Sequence, residues 1–197
     1  MIWRVFLFPL LVTCGCAEKP TPSPLSAPPL VVNKDYYPLE AGCRWEYRSQ
    51  LGLKIKREVA EGTGEEWKKM IFTLPLLGEK TLSMKKAAEG IVARRHNREQ
   101  LIMRFPMKQG DRWTIDFPDE DLATCTVEKP EELEILGNKI SCTKLRVERT
   151  DRKSKKTTRD FEWYAEGIGL VQVTVTVMKM TQTFTLASYT PAGESRE

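Results

Sequence analysis

Apolar and polar residues alternate with a period of two along most of the chain beyond residue 40. In "LVQVTVTVM", residues 170–178, Val171, Val173, Val175 and Val177 fall on one face and Gln172, Thr174 and Thr176 on the other. That pattern predicts a half-buried strand. "TFTLASY", residues 183–189, alternates in the same way. "RWEYRSQL", residues 44–51, sets Trp45 and Tyr47 against Arg44, Glu46 and Arg48, and "LKIKREV", residues 53–59, alternates through Leu53, Ile55 and Arg57. "EWKKMIFTL", "KTLSM", "IVARR" and "LIMRF" follow at short spacing, and "DFEWYAEGIGL", residues 160–170, carries a strand into a turn at residues 167–169. Short strands separated by Gly, Asn or Asp indicate an antiparallel meander. "MKKAAEG", residues 84–90, is the one candidate for helix, at most two turns. One-sided alternation implies one buried and one solvated face, and a sheet of this size must curl or close. The expectation is an all-β domain over residues 34–190: a curved antiparallel meander sheet or incomplete β-barrel of about ten strands with little helix, followed by a polar tail at 191–197.

One phrase occurs twice. "PLEAGCRWEY" begins at Pro38 and "PMKQGDRWTI" at Pro106, 68 positions later, with Pro, Gly, Arg and Trp in the same order and spacing. The Pro suits a turn, the Gly can take the positive φ that ends it, and the Trp then enters a strand with a large apolar area to bury. Trp45 and Trp113 are therefore read as core anchors; the alternative turns both toward a ligand.

The N-terminus has a different character. Residues 1–4 carry one positive charge, and "VFLFPLLV", residues 5–12, is an apolar core of eight residues. That is too short for a permanent transmembrane helix. "LVTCGC" follows. The segment resembles a bacterial lipoprotein signal, in which small residues precede a Cys that becomes the acylated N-terminus. Gly15 directly before Cys16 favours Cys16; Cys14 follows Thr13 but has Leu11 well placed upstream. The resemblance implies a signal peptide over residues 1–15 and a diacylglyceryl, N-acylated Cys16, with palmitate-type chains holding the protein to a membrane. Two or more chains anchor stably where one does not. Ala17 and Glu18, with no Asp, point in enterobacteria-like sorting to the outer membrane, facing the periplasm. Residues 16–33 then form a tether that is rich in proline (Pro20, Pro22, Pro24, Pro28, Pro29) and poor in core-forming side chains. Its segment from Glu18 to Leu30 spans roughly 40 Å when extended.

Charge excludes less than it suggests. Arg4 is the only charge in residues 1–16, so the exported chain carries 30 basic and 27 acidic residues, a net +3. That mixed surface gives no reason to expect a nucleic-acid partner. "RTDRKSKKTTR", residues 149–159, is basic and residues 116–134 are acidic; such runs read as solvated hairpin tips or edges. Three cysteines remain in the domain: Cys43, Cys125 and Cys142. A hairpin turning at Gly137-Asn138 would set Cys142 opposite Leu133 and Cys125 opposite Thr150. A Cys125–Cys142 disulfide then needs Pro130 to fold the first strand back.

Catalytic constellations are sparse. His96 is the one histidine, inside "ARRHNRE", and reads as an exposed hairpin residue. There is no Walker-type loop, G-x-G-x-x-G or H-E-x-x-H. "DFPDED", residues 116–121, lacks the spaced ligands of a calcium loop. No C-x-x-C or Cys/His cluster suggests zinc. We therefore expect no cofactor, no metal and no catalytic residues.

"YYPLEAGCRWEY", "FPMKQGDRW", "EILGNKISCTKLRV" and "WYAEGIGLV" together resemble a widespread set of uncharacterised bacterial lipoproteins and exported proteins, over most of residues 36–178. The resemblance implies an antiparallel, barrel-like sheet and brings no established activity. The functional expectation is a non-enzymatic, membrane-anchored envelope lipoprotein that binds or scaffolds another envelope component. The alternative is a carrier of an apolar ligand such as a lipid or acyl chain. A concave apolar cavity of several hundred Å³ would favour the carrier.

Overall fold

The computed structural model describes residues 36–64, 66–75, 78–117, 121–177 and 180–194. The signal, Cys14, Cys16 and the tether lie outside the described residues. Thirteen strands follow one another: β1 Arg44–Ser49, β2 Lys54–Glu61, β3 Lys68–Leu74, β4 Gly78–Ala87, β5 Gly90–Arg95, β6 Arg98–Arg104, β7 Arg112–Ile115, β8 Leu122–Val127, β9 Glu131–Ile135, β10 Asn138–Thr150, β11 Thr157–Ala165, β12 Gly169–Val177 and β13 Met180–Thr190. All pairings are antiparallel, in the order β6-β5-β4-β3-β2-β1-β13-β12-β11-β10-β8-β7, with β9 beside β10.

The expected all-β, barrel-like meander is the observed class, with more strands than the ten or so anticipated. Residues 84–90, the helix candidate, complete β4 and turn into β5. Pro130 adds a strand by interrupting the chain between β8 and β9, since it has no N–H for a ladder. Both pieces run along β10: β9 pairs with its first part and β8 with its last.

Such a sheet exposes two edges unless it closes. Here the end strands β6 and β7 meet across a seam held by side chains. Trp113 Nε1 donates to the Ile102 carbonyl at 3.1 Å, Gln100 Nε2 donates to the Thr114 carbonyl at 3.3 Å, and the Asp116 N–H donates to Gln100 Oε1 at 2.8 Å. The result is a nearly closed barrel.

The repeated phrase builds the same local structure twice. Gly42 and Gly110 adopt φ of 97° and 90°. The Gly42 N–H donates to Val59 O at 2.8 Å, and the Gly110 N–H to Val127 O at 2.9 Å. Val59 and Val127 return the bond to Cys43 O and Asp111 O, each at 2.9 Å. The partners are themselves 68 positions apart, so β1–β2 and β7–β8 are equivalent hairpin starts. The copies differ at the proline: the Phe105–Pro106 bond is cis.

Trp45 and Tyr47 stand on the inner face of β1. Trp45 Nε1 donates to the Ile168 carbonyl at 2.7 Å, and Tyr47 Oη donates to the Leu170 carbonyl at 2.9 Å. Ile55, Val59, Met70, Phe184 and Leu186 fill the interior around them. Residues 36–39 cross the end of the barrel at which β1 begins. Pro38 packs on Gly169, where an added Cβ would approach Pro38 Cδ to 3.2 Å, and Tyr36 stacks on Phe105 at 5.9 Å.

Removing one of these anchors should be costly. Trp45→Phe keeps an aromatic ring but leaves the Ile168 carbonyl without its donor, and should lower the unfolding free energy by about 1–3 kcal/mol. Denaturant titration followed by tryptophan fluorescence measures it. A loss below about 0.5 kcal/mol would show that the indole N–H bond does not hold the fold.

Candidate functional site

The barrel is filled on one side and hollow on the other. Beside Trp45 and Tyr47 lies a gap of about 10 Å³. The other side holds a half-open cavity of about 550 Å³. Inward positions of β3, β4, β6, β7 and β8 give it an apolar wall that includes Phe72, Leu82, Met84, Ile102, Ile115 and Ala123. The opposite wall is polar: Tyr37 from the entering chain, Arg57 from β2, Arg149 from β10, and Glu162 and Tyr164 from β11.

Depth separates these groups. Tyr37, Met84, Met103 and Tyr164 are buried, at the end crossed by residues 36–39. Toward the end where β7 gives way to β8, Leu82 and Ile115 are half-buried, Phe117 is buried and Asp121 is exposed.

The polar wall is a connected network. Tyr164 Oη donates to Glu162 Oε2 at 2.6 Å. Arg149 pairs with Asp160 and lies 3.5 Å from Glu162 Oε1. Asp160, itself buried, also accepts the Thr176 N–H at 3.0 Å. Arg57 is held differently. Its guanidinium carbon lies 5.1 Å from the centre of the Phe72 ring and 5.6 Å from that of Tyr47, in the range of cation–π attraction, and Tyr37 bonds to it through the hydroxyl. Burial, ahead of nearby charges, pushes Tyr37, Tyr47 and Tyr164 above the usual phenol range, so all three stay neutral.

The residues singled out from sequence fall mostly elsewhere. Trp45 is buried against Tyr189, with ring centres 5.5 Å apart, and borders the 10 Å³ gap and an outer cleft of about 260 Å³. Trp113 is buried at the seam and does not line the interior cavity. The two indoles share no chamber. His96 is exposed at the β5–β6 hairpin tip. The basic run is the β10–β11 tip, where Arg152 pairs with Asp116 of the acidic run and also donates to the Phe117 carbonyl at 3.2 Å. Among the described residues no three His, Cys, Asp or Glu side chains converge on a metal position.

The Cys125–Cys142 disulfide is not formed; Cys43, Cys125 and Cys142 are buried free thiols. The hairpin turns at Leu136-Gly137, with φ of 51° and 77°, rather than at Gly137-Asn138. Cys142 therefore faces Glu131; across the break at Pro130 the register slips by one more residue, and Cys125 faces Val147. Val147 and Cys142 are five residues apart on β10, so they lie on opposite faces and roughly 17 Å apart along it. Cys125 reaches the interior cavity, but burial first, and the charge of Glu162 second, push its thiol up to about 12. Burial likewise takes Cys142 to about 11. Both are protonated at neutral pH and poor nucleophiles.

No family model matches the chain, and no curated protein matches it. Three solved structures are similar over most of its length. One is a predicted lipoprotein from Parabacteroides distasonis, at 14% identity and a TM-score of 0.42, covering 79% of this chain and 98% of that one. Another is a predicted exported protein with a YmcC-like fold from Bacteroides fragilis, at 15% identity and a TM-score of 0.45, covering 78% and 98%. The third is the hypothetical lipoprotein YmcC from Escherichia coli, at 14% identity and a TM-score of 0.39, covering 83% and 91%. Likenesses this distant carry no argument about ligand, activity or location.

Sequence reasoning passed over the polar wall. The signal was present at Arg57, a charged residue in phase with Ile55 on the buried face of its strand. Glu162 gave less, because Phe161 and Trp163 alternate with it and suggest the opposite face as the inner one. The structure places Trp163 outside, where its Nε1 donates to Glu131 at 2.8 Å beneath Lys144.

Thiol accessibility checks this arrangement. Cys43, Cys125 and Cys142 should resist an aromatic disulfide reagent in the native protein and all react after unfolding in denaturant. A protein in which only one of the three reacts after unfolding would carry the disulfide instead.

Proposed function

We propose that this protein is a non-enzymatic, lipid-anchored envelope protein whose barrel binds an apolar ligand. The cavity of about 550 Å³ carries the reading. Its volume falls within the roughly 300–1,000 Å³ of small-molecule sites, and its make-up, mostly apolar with a few converging polar groups, is that of such sites. Of the two roles the sequence left open, scaffold and carrier, a hollow interior favours the carrier: a surface scaffold gains nothing from a barrel left unfilled. Protonation of the Cys125 thiol supports a binding chamber over one built for nucleophilic chemistry.

The anchor rests on sequence alone. "LVTCGC" supports acylation at Cys16, and the residues after it support the outer membrane with the barrel in the periplasm. A tethered barrel of this kind would take up a lipid or acyl chain from its surroundings while remaining attached to the envelope.

Two experiments test the two halves. Ala123 lies on the cavity wall with its side chain inward, so Ala123→Phe should weaken binding of the neutral fluorophore N-phenyl-1-naphthylamine by at least about tenfold. Circular dichroism would confirm that the variant remains folded. Unchanged binding in a folded Ala123→Phe protein would remove the cavity as the binding site. Cys16→Ser should abolish metabolic labelling with a palmitate analogue and release the protein from membranes. Labelling that persists in Cys16→Ser and disappears in Cys14→Ser would move the anchor to Cys14.

A further inference from the structure

We infer that the ligand carries a carboxylate on a hydrocarbon chain, with the carboxylate bound at Arg57 and the chain along the wall of Phe72, Leu82, Ile102 and Ile115. This deepens the apolar-ligand reading above and rests on it.

The charges of the cavity are not equivalent. Arg149 has two carboxylates, Asp160 and Glu162. Glu162 has Arg149 and the Tyr164 hydroxyl. Asp160 has Arg149 and a backbone N–H. Arg57 has aromatic faces and a phenol; Glu162 acts on it through space, but among the described residues no carboxylate lies in ion-pair contact with it. Its Nε–H is buried without a hydrogen-bond acceptor. A guanidinium cannot shed its charge by losing a proton at physiological pH, and its free donor needs an acceptor. An anionic acceptor completes it best, because the hydrogen bond is then charge-assisted. Carboxylates match the planar donor fork of a guanidinium.

Position fixes the orientation. Arg57, half-buried, lines the cavity together with Tyr37 and Tyr164 at the end crossed by residues 36–39, and also borders the outer cleft. The apolar wall runs from there toward the half-buried Leu82, Ile102 and Ile115. An amphipath would therefore lie with its head at Arg57 and its tail along that wall. The charge of Glu162 penalises every added negative charge at Arg57, so a singly charged carboxylate is favoured over a more highly charged head.

The test compares dodecanoate with dodecanol as competitors of N-phenyl-1-naphthylamine, using the full chain with Cys14 and Cys16 both replaced by Ser. Dodecanoate should bind about ten- to a hundredfold more tightly than dodecanol, the ratio expected from one charge-assisted hydrogen-bonded pair. In Arg57→Gln the two should become equal, and in Arg57→Lys part of the preference should survive. Equal affinities in the parent chain would overturn the carboxylate inference while leaving the apolar cavity intact. A preference for dodecanoate that persists in a folded Arg57→Gln protein would overturn the placement at Arg57. Failure of the fluorophore and both competitors to bind would instead overturn the apolar-ligand reading. Should Arg57→Gln fail to fold, Arg57→Lys takes its place, and a dodecanoate preference undiminished in a folded Arg57→Lys protein would overturn the placement at Arg57.

Discussion

Two side chains of β1 fix how the inside of this barrel is divided. Trp45 and Tyr47 reach past β13 to the carbonyls of Ile168 and Leu170. Two buried carbonyls thereby gain donors, and two large rings are drawn against the β11–β12 turn. Among the described residues the interior on that side keeps a gap of about 10 Å³. Residues of moderate size on the far strands cannot reach across to meet the rings, and the chamber is the remainder. A cavity arising in this way is a property of side-chain volume, not of strand number.

The chamber wall combines opposites because the inner face of β2, β10 and β11 carries charge where the inner face of β3, β4, β6, β7 and β8 does not. Each buried polar group on the charged wall must find a partner within the protein or forfeit its solvation. Arg149, Asp160, Glu162 and Tyr164 do so among themselves. Arg57 leans instead on ring faces, which soften its isolation without neutralising it.

Much of this architecture was legible in local pattern. The alternation of β12 and β13, the turn glycines and the repeated Pro–Gly–Trp phrase each reflect constraints within a few residues, and each led to the right class of fold. Errors came where a choice depended on something remote. Leu136 takes a left-handed conformation although Gly137-Asn138 looks the better turn, and that single step moves every partner along the hairpin. Strand β11 is aromatic on both faces, so only the packing of β9 over Trp163 decides which face is outside. Whether the interior is full or hollow is written in no single strand. Arg57 was the one residue of the site that local pattern exposed, as a charge on an apolar face.

The seam between β6 and β7 has a consequence for the size of that interior. Everywhere else the circumference is fixed by rows of main-chain bonds, which part only at the cost of a whole ladder. At the seam the hoop is fastened by a clasp of three bonds, each with a side chain on one side. The two strands it joins are consecutive in the chain, so loosening it leaves every other pairing in place. The girth of the barrel is thus set by the reach of Gln100 and Trp113, two side chains that can be lengthened or shortened by substitution without rewriting a strand.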